Sequence, residues 1–130
     1  ILLSAQLALN GGRLKDAIDS VSAASYLEPQ NALLLYQLGL LYIEARDYES
    51  AALRFEAALQ IDPDYANASF FLGETYLFMD RKDEAVSIFH ALKEKNPDAE
   101  LLDEIMTAIA EGKNPFTDEQ ALPPESAVAE

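Results

Sequence analysis

Pro29, Pro63 and Pro97 stand 34 residues apart, and the residue types between them recur. A period of that length is one helix–turn–helix unit of a stacked array, so the chain is read first as repeats. Within each unit, apolar residues fall at helical spacing in two blocks with a short polar break between them. The central unit runs Leu35, Leu38-Gly39, Tyr42, then Tyr48, Ala51, Phe55, Ala58 and Asp62-Pro63. The next repeats it as Ser69, Leu72-Gly73, Tyr76, then Lys82, Ala85, Phe89, Leu92 and Asn96-Pro97. Run backwards, the same frame meets Ile1, Ser4-Ala5, Ala8, Gly12, Leu14, Ala17, Val21, Ala24 and Pro29. Run forwards, it reaches Leu101 to Glu111, a single helix without its second half.

Gly39 and Gly73 lie inside the first block of their units, where glycine destabilises a helix by about 0.5–1 kcal/mol relative to alanine. Two such losses at equivalent places point to a second helix crossing closely. Ala51 and Ala85 are the small residues expected to face the glycines, with Tyr42/Tyr76 and Phe55/Phe89 filling the space between the helices. The prolines end each second helix, because the residue before a proline avoids the helical region. The period predicts seven helices, over about 1–10, 14–27, 31–45, 48–61, 65–79, 82–95 and 99–111, stacked as antiparallel pairs. From Gly112 the composition turns to Gly, Pro, Thr and acidic residues, ending in Pro123-Pro124, which predicts a flexible tail over 112–130.

A leucine-glycine pair, a tyrosine three residues later, a small alanine in the second helix and a closing proline together resemble the tetratricopeptide repeat. Two full units match, the first is truncated, and the last is similar to the solvating helix that often ends such arrays. The resemblance covers 1–111: a truncated repeat over 1–30, full repeats over 31–64 and 65–98, and a capping helix over 99–111. It implies an all-α, right-handed α-solenoid of about three repeats plus a C-terminal capping helix. Departures are local. The family's glycine between helices is matched by Gly12 but replaced by Arg46 and Asp80. Aspartate tolerates the left-handed conformation better than arginine, so the Arg46 turn is expected to be the less favourable. Lys82 replaces an aromatic and Ser69 a bulkier residue, so the third unit is expected to pack more loosely than the second.

The resemblance implies that the first helix of each pair lines a concave inner face. In the second unit this face would carry Leu33, Tyr36, Leu40, Ile43 and Glu44. In the third it would carry Asn67, Phe70, Glu74, Leu77 and Phe78, with Phe71 beside them. The first unit would add Leu2, Gln6 and Asn10, and the closing helix Leu101, Glu104 and Ala108. Phe70, Phe71 and Phe78 admit two readings. Either they pack against the next repeat or the tail, as most helical aromatics do, or they form a contact patch of the kind that dominates binding interfaces. Glu44 and Glu74 would favour a basic residue in a ligand. A subset of the family grips the C-terminal carboxylate of chaperone tails with a lysine, asparagine and arginine clamp. The matching places here hold Leu2, Gln6, Gln37, Asn67 and Phe71, or, one repeat later, Tyr36, Leu40, Phe71, Leu101 and Ile105. Neither set has a cation to neutralise a carboxylate, which excludes that ligand.

Charge narrows the partners further. Nine Lys+Arg against 23 Asp+Glu leave a net charge of -14, which repels nucleic-acid phosphates and anionic membrane surfaces. The chain has no cysteine, so disulfides, thiol nucleophiles and cysteine zinc sites are excluded. The longest apolar stretch, Ala32 to Ile43, is broken by Gln37 and too short to span a bilayer. Beginning at Ile1 within a helical pattern, the chain reads as an excised fragment. A soluble, cytoplasmic domain is the expectation, with an envelope-attached parent as the alternative.

Catalytic chemistry is thin. His90, the single histidine, falls on a second helix beside Phe89 and away from the expected groove. Asp62-Pro63-Asp64 begins like a calcium loop but has Ala66 at the third ligand place and lacks the loop glycine and closing glutamate. Gly11-Gly12 reads as a helix stop, since no Lys-Ser/Thr follows to make a phosphate loop. Asn67-Ala68-Ser69 matches a glycosylation acceptor but falls within an expected helix. No enzyme activity, cofactor or metal is expected. The leading expectation is a scaffold that binds a protein or peptide segment in its groove. The competing ones are a self-assembling spacer, whose apolar repeat ends stack on other copies, and a repeat domain appended to a larger bacterial enzyme or envelope protein.

Overall fold

Among the described residues, helices stand where the repeat pattern places them. The computed structural model describes residues 11–116, and the helix expected over 1–10 lies outside them. The described helices are α1 (Gly11–Leu27), α2 (Ala32–Glu44), α3 (Tyr48–Ile61), α4 (Ala66–Phe78), α5 (Lys82–Lys95) and α6 (Glu100–Ala110). From α2 onward their ends agree with the sequence expectation to within one residue. The reasons are local. Asn31 caps α2 by accepting from Leu34 N–H at 3.3 Å, and Asp47 caps α3 by accepting from Ser50 N–H at 3.2 Å. Asp62-Pro63 and Asn96-Pro97 close α3 and α5.

One expectation near the beginning of α1 is not met. Gly11 and Gly12 are helical and Gly12 is not left-handed, so these two residues do not themselves form a break. Glycine permits a turn without forcing one. The break instead appears where the family glycine is missing. Arg46 (φ 61°) and Asp80 (φ 63°) are both left-handed, each just past the end of a helix. Asp47 N–H donates to Tyr42 C=O at 2.9 Å, and Arg81 N–H donates to Tyr76 C=O at 2.8 Å. Gly112 (φ 81°) ends α6 in the same way, with Lys113 N–H donating to Ala108 C=O at 2.9 Å. Arg46→Gly is therefore expected to raise the unfolding free energy by about 1 kcal/mol, and Asp80→Gly by less, because aspartate enters this region more readily. Urea titration of the two variants checks the order.

Each helix packs on the next along the chain, and α2 also meets α4 across the repeat boundary, the stacking of a helical-repeat solenoid. No strand occurs among the described residues, and no described helix is long and apolar enough to cross a membrane. The α2–α3 pair makes the most extensive contact, in keeping with the aromatic at Tyr48 and its loss at Lys82.

The seam of each pair differs in one respect from expectation. A Cβ placed on Gly39 would lie 2.6 Å from the Phe55 ring, and one on Gly73 would lie 2.7 Å from the Phe89 ring. The glycines thus make room for phenylalanine rings, whereas alanines were expected to face them. Ala51 and Ala85, one helical turn earlier, are fully buried beside the rings. Phe55 and Phe89 are themselves wholly buried. Thr75, the one buried polar residue among those described, donates its hydroxyl to Phe71 C=O at 2.7 Å. Lys93 pairs with Asp103 at 2.8 Å and so ties α5 to the closing helix.

The start of the expected flexible tail is folded. The Phe116 ring meets Phe70 edge-on, with centroids 5.7 Å apart, and stacks near Phe89 at 6.2 Å. It covers a stretch of α4 and α5 that α6, packed on α5 alone, leaves open. Residues 117–130 of that tail lie outside the described residues.

Candidate functional site

Among the described residues, three helices border an open hollow. Helices α1, α2 and α4 bound a cavity of ≈ 570 Å³. Ala17 and Val21 form its α1 wall, and Leu40, Leu41 and Ile43 form its α2 wall with Gln37 and Glu44. Helix α4 supplies Phe71 and Glu74. The lining is mostly apolar, with two carboxylates and one amide converging on it. That is the make-up of a recognition pocket, where apolar area gives affinity and a few polar groups give orientation.

Five of the residues expected to line a groove meet in this cavity: Leu40, Ile43, Glu44, Phe71 and Glu74. The other six do not. Leu33 is exposed on the first turn of α2, outside the cavity. Tyr36 turns inward between repeats, with ring centroids 5.1 Å from Tyr65, 6.0 Å from Phe55 and 6.1 Å from Phe71. Leu77 is buried in the core. Phe78 stacks on Tyr48 of α3, with centroids 5.0 Å apart and planes 9° from parallel. Asn67 and Phe70 border a separate shallow hollow of ≈ 230 Å³ between α4, α5 and α6, where Phe70 also meets Phe89 edge-on at 5.7 Å. The three phenylalanines of α4 therefore divide. Phe71 faces the cavity, Phe70 packs against the tail, and Phe78 packs against the preceding pair. Leu2, Gln6 and Asn10 lie outside the described residues.

Ala17, Val21 and Leu41 are cavity residues that sequence reasoning did not place there. Ala17 and Val21 occupy seam positions in the repeat pattern, which would face the helix expected over 1–10, outside the described residues. Gln37 entered only as a mismatch to the carboxylate clamp. His90, by contrast, is exposed and lies 3.8 Å from Glu94 on the surface of α5.

Burial raises the Glu74 carboxyl to about 7 from the ordinary 4.5. An ionised carboxylate among apolar side chains loses hydration that nothing in the cavity replaces. The folded state therefore holds a proton that the unfolded chain gives up between pH 4.5 and 7. Stability must fall as pH rises through that window, and the loss is complete above it. The shift corresponds to at most about 3.5 kcal/mol, and local relaxation reduces it. Glu74→Gln, which cannot ionise, is expected to match the parent near pH 4.5 and to exceed it by about 1–2 kcal/mol at pH 8. Chemical denaturation at the two pH values reads the difference.

A second polar group lies apart from the cavity. Tyr76 donates its hydroxyl to Glu56 at 2.5 Å beneath the Arg81 guanidinium, which sits 4.3 Å over its ring. Arg81 in turn clasps Glu84 with two bonds of 2.6 Å. Burial, with the carboxylate second, pushes the Tyr76 hydroxyl well above its usual range. Every member is paired, and the group fastens α3 and α5 to the end of α4.

The family model described as tetratricopeptide repeat matches residues 42–109, just over half of the chain. A search among curated proteins returned no match. Repeats of this family generally mediate protein–protein interaction and are typically non-catalytic. A 34-residue period, a glycine beneath a phenylalanine ring in each full unit and the family match agree: the chain belongs to the tetratricopeptide repeat family.

Proposed function

We propose that the cavity between α1, α2 and α4 holds a segment of a partner protein and that the chain acts as a non-catalytic interaction scaffold. The observation that carries this reading is the lining itself, apolar on three helices with Glu44 and Glu74 as its charged groups. Apolar anchors from the partner would fill the space against Leu40, Ile43 and Phe71, and the carboxylates would set its orientation. A site of this size on a short array buries modest area, which suits micromolar rather than nanomolar binding.

The test starts from a displayed random-peptide library selected on the chain. Peptides that emerge are titrated against the parent and a Leu40→Gln/Ile43→Gln variant whose helicity is first verified by circular dichroism. Both positions are half-buried wall residues, so the fold is expected to survive. Affinity should fall at least tenfold. Equal affinity for parent and variant would place the binding surface elsewhere.

Self-association is the second reading, favoured by Tyr26 and Leu27 at the end of α1, which are 85% and 78% exposed. Light scattering across a concentration series decides it, because a mass that stays monomeric removes it.

A further inference from the structure

Resting on the reading of the cavity as a protein-binding site, we propose that it selects its ligand by one basic side chain, a lysine or arginine flanked by aliphatic residues, whose charged end is received by Glu74 with Glu44 beside it. The geometry that leads there is a carboxylate set among hydrocarbon. Glu74 stands one turn after Phe71 on α4, across from Leu40 and Ile43 of α2 and Ala17 and Val21 of α1. A lysine or arginine stem is itself hydrocarbon for three or four carbons, so it can lie along such walls and deliver its charge at the end. No ion pair among the described residues involves Glu44 or Glu74, so no described cation occupies either carboxylate. An acidic or neutral polar residue in that place would meet like charge or leave the carboxylate uncompensated. The net charge of -14 draws basic segments toward the surface and repels acidic ones.

A second consequence follows from the groups around Glu74. Helix α1 brings only apolar residues to the cavity, and α2 brings Glu44 as its one ionisable group, with neutral Gln37. Helices α3 and α5, which also pack on α4, contribute nothing to the lining. No cation among the described residues lines the cavity, and burial raises the free carboxyl to about 7. The ligand's cation binds the ionised form, so a proton leaves Glu74 to solvent as the complex forms. Affinity therefore rises with pH, by about tenfold between pH 6 and pH 8, because the ionised fraction rises from about a tenth to about nine-tenths.

The experiment uses the library-selected peptides, titrated calorimetrically at pH 6 and pH 8 against the parent, Glu74→Gln and Glu94→Gln. Glu94 is an exposed residue of α5 and controls for the loss of one charge elsewhere. The expected peptides carry a basic residue between aliphatic ones. They bind the parent about tenfold more tightly at pH 8 than at pH 6, and norleucine in place of the basic residue abolishes that difference. Glu74→Gln binds weakly at both pH values, while Glu94→Gln behaves as the parent does. Peptides that depend on Leu40 and Ile43, yet carry no basic residue or bind Glu74→Gln as tightly as the parent, overturn the proposal and leave the cavity as the binding site. Peptides indifferent to Leu40 and Ile43, or a selection that yields none, overturn both.

Discussion

Phe55→Ala is expected to lower the unfolding free energy by about 3–5 kcal/mol, the range for truncating a fully buried aromatic residue. The ring is 0% exposed and lies directly over the backbone of α2 at Gly39. It also touches the aromatic residues that join one repeat to the next, with centroids 6.0 Å from Tyr36 and 6.3 Å from Phe71. Removing it leaves a void whose floor is a glycine, and a glycine has no side chain that could rotate into the space. Relaxation would need α2 and α3 to close together, which Leu35 and Ala51, packed in the same cluster, resist. Domains of this size are stable by about 5–15 kcal/mol, so one substitution removes a large share. Denaturant unfolding followed by helical circular dichroism gives the value. A loss under about 1.5 kcal/mol would mean that the ring does not support the α2–α3 seam.

Gly39→Ala is expected to destabilise by about 2–3 kcal/mol, although alanine is the better helix former by about 1 kcal/mol. The new methyl would stand 2.6 Å from a ring carbon of Phe55, well inside van der Waals contact. The ring is enclosed, so either it leaves its rotamer or the two helices move apart. In a chain that already carries Phe55→Ala, the same glycine substitution should change sign and stabilise by about 1 kcal/mol, because only the helix preference remains. The resulting coupling of about 3 kcal/mol is far above what distant sites show. If Gly39→Ala stays destabilising after the ring is gone, the steric account of the spacing between Gly39 and Phe55, repeated at Gly73 and Phe89, is wrong. Gly73 and Phe89 offer the same cycle one repeat later, at 2.7 Å.

The array itself was legible because its causes are local or strictly periodic. Helical spacing of apolar residues, caps at Asn31 and Asp47 and prolines after α3 and α5 act within a few residues of where they stand. The left-handed turns at Arg46 and Asp80 could be located from the frame alone, since each replaces a glycine of the pattern. The break expected at Gly11-Gly12 was misplaced for the opposite reason. A glycine pair is compatible with both a turn and a first helical turn, and no second local signal separates them.

The site was only half legible. Phe71 and Phe78 lie seven residues apart on nearly the same side of α4, but about 10 Å apart along its axis. Periodicity treats them alike. Tyr48, 30 residues earlier, covers one end of that stripe, while the other end opens on the cavity. Phe70 is claimed by Phe116, from a stretch whose composition predicts only a linker. Sequence alone thus determined the period, the helix ends and the residues that could face inward, because these depend on neighbours within one or two turns. The tertiary structure decided which of those residues remain uncovered and left Glu74 in an apolar hollow, because burial depends on side chains brought from distant points of the chain.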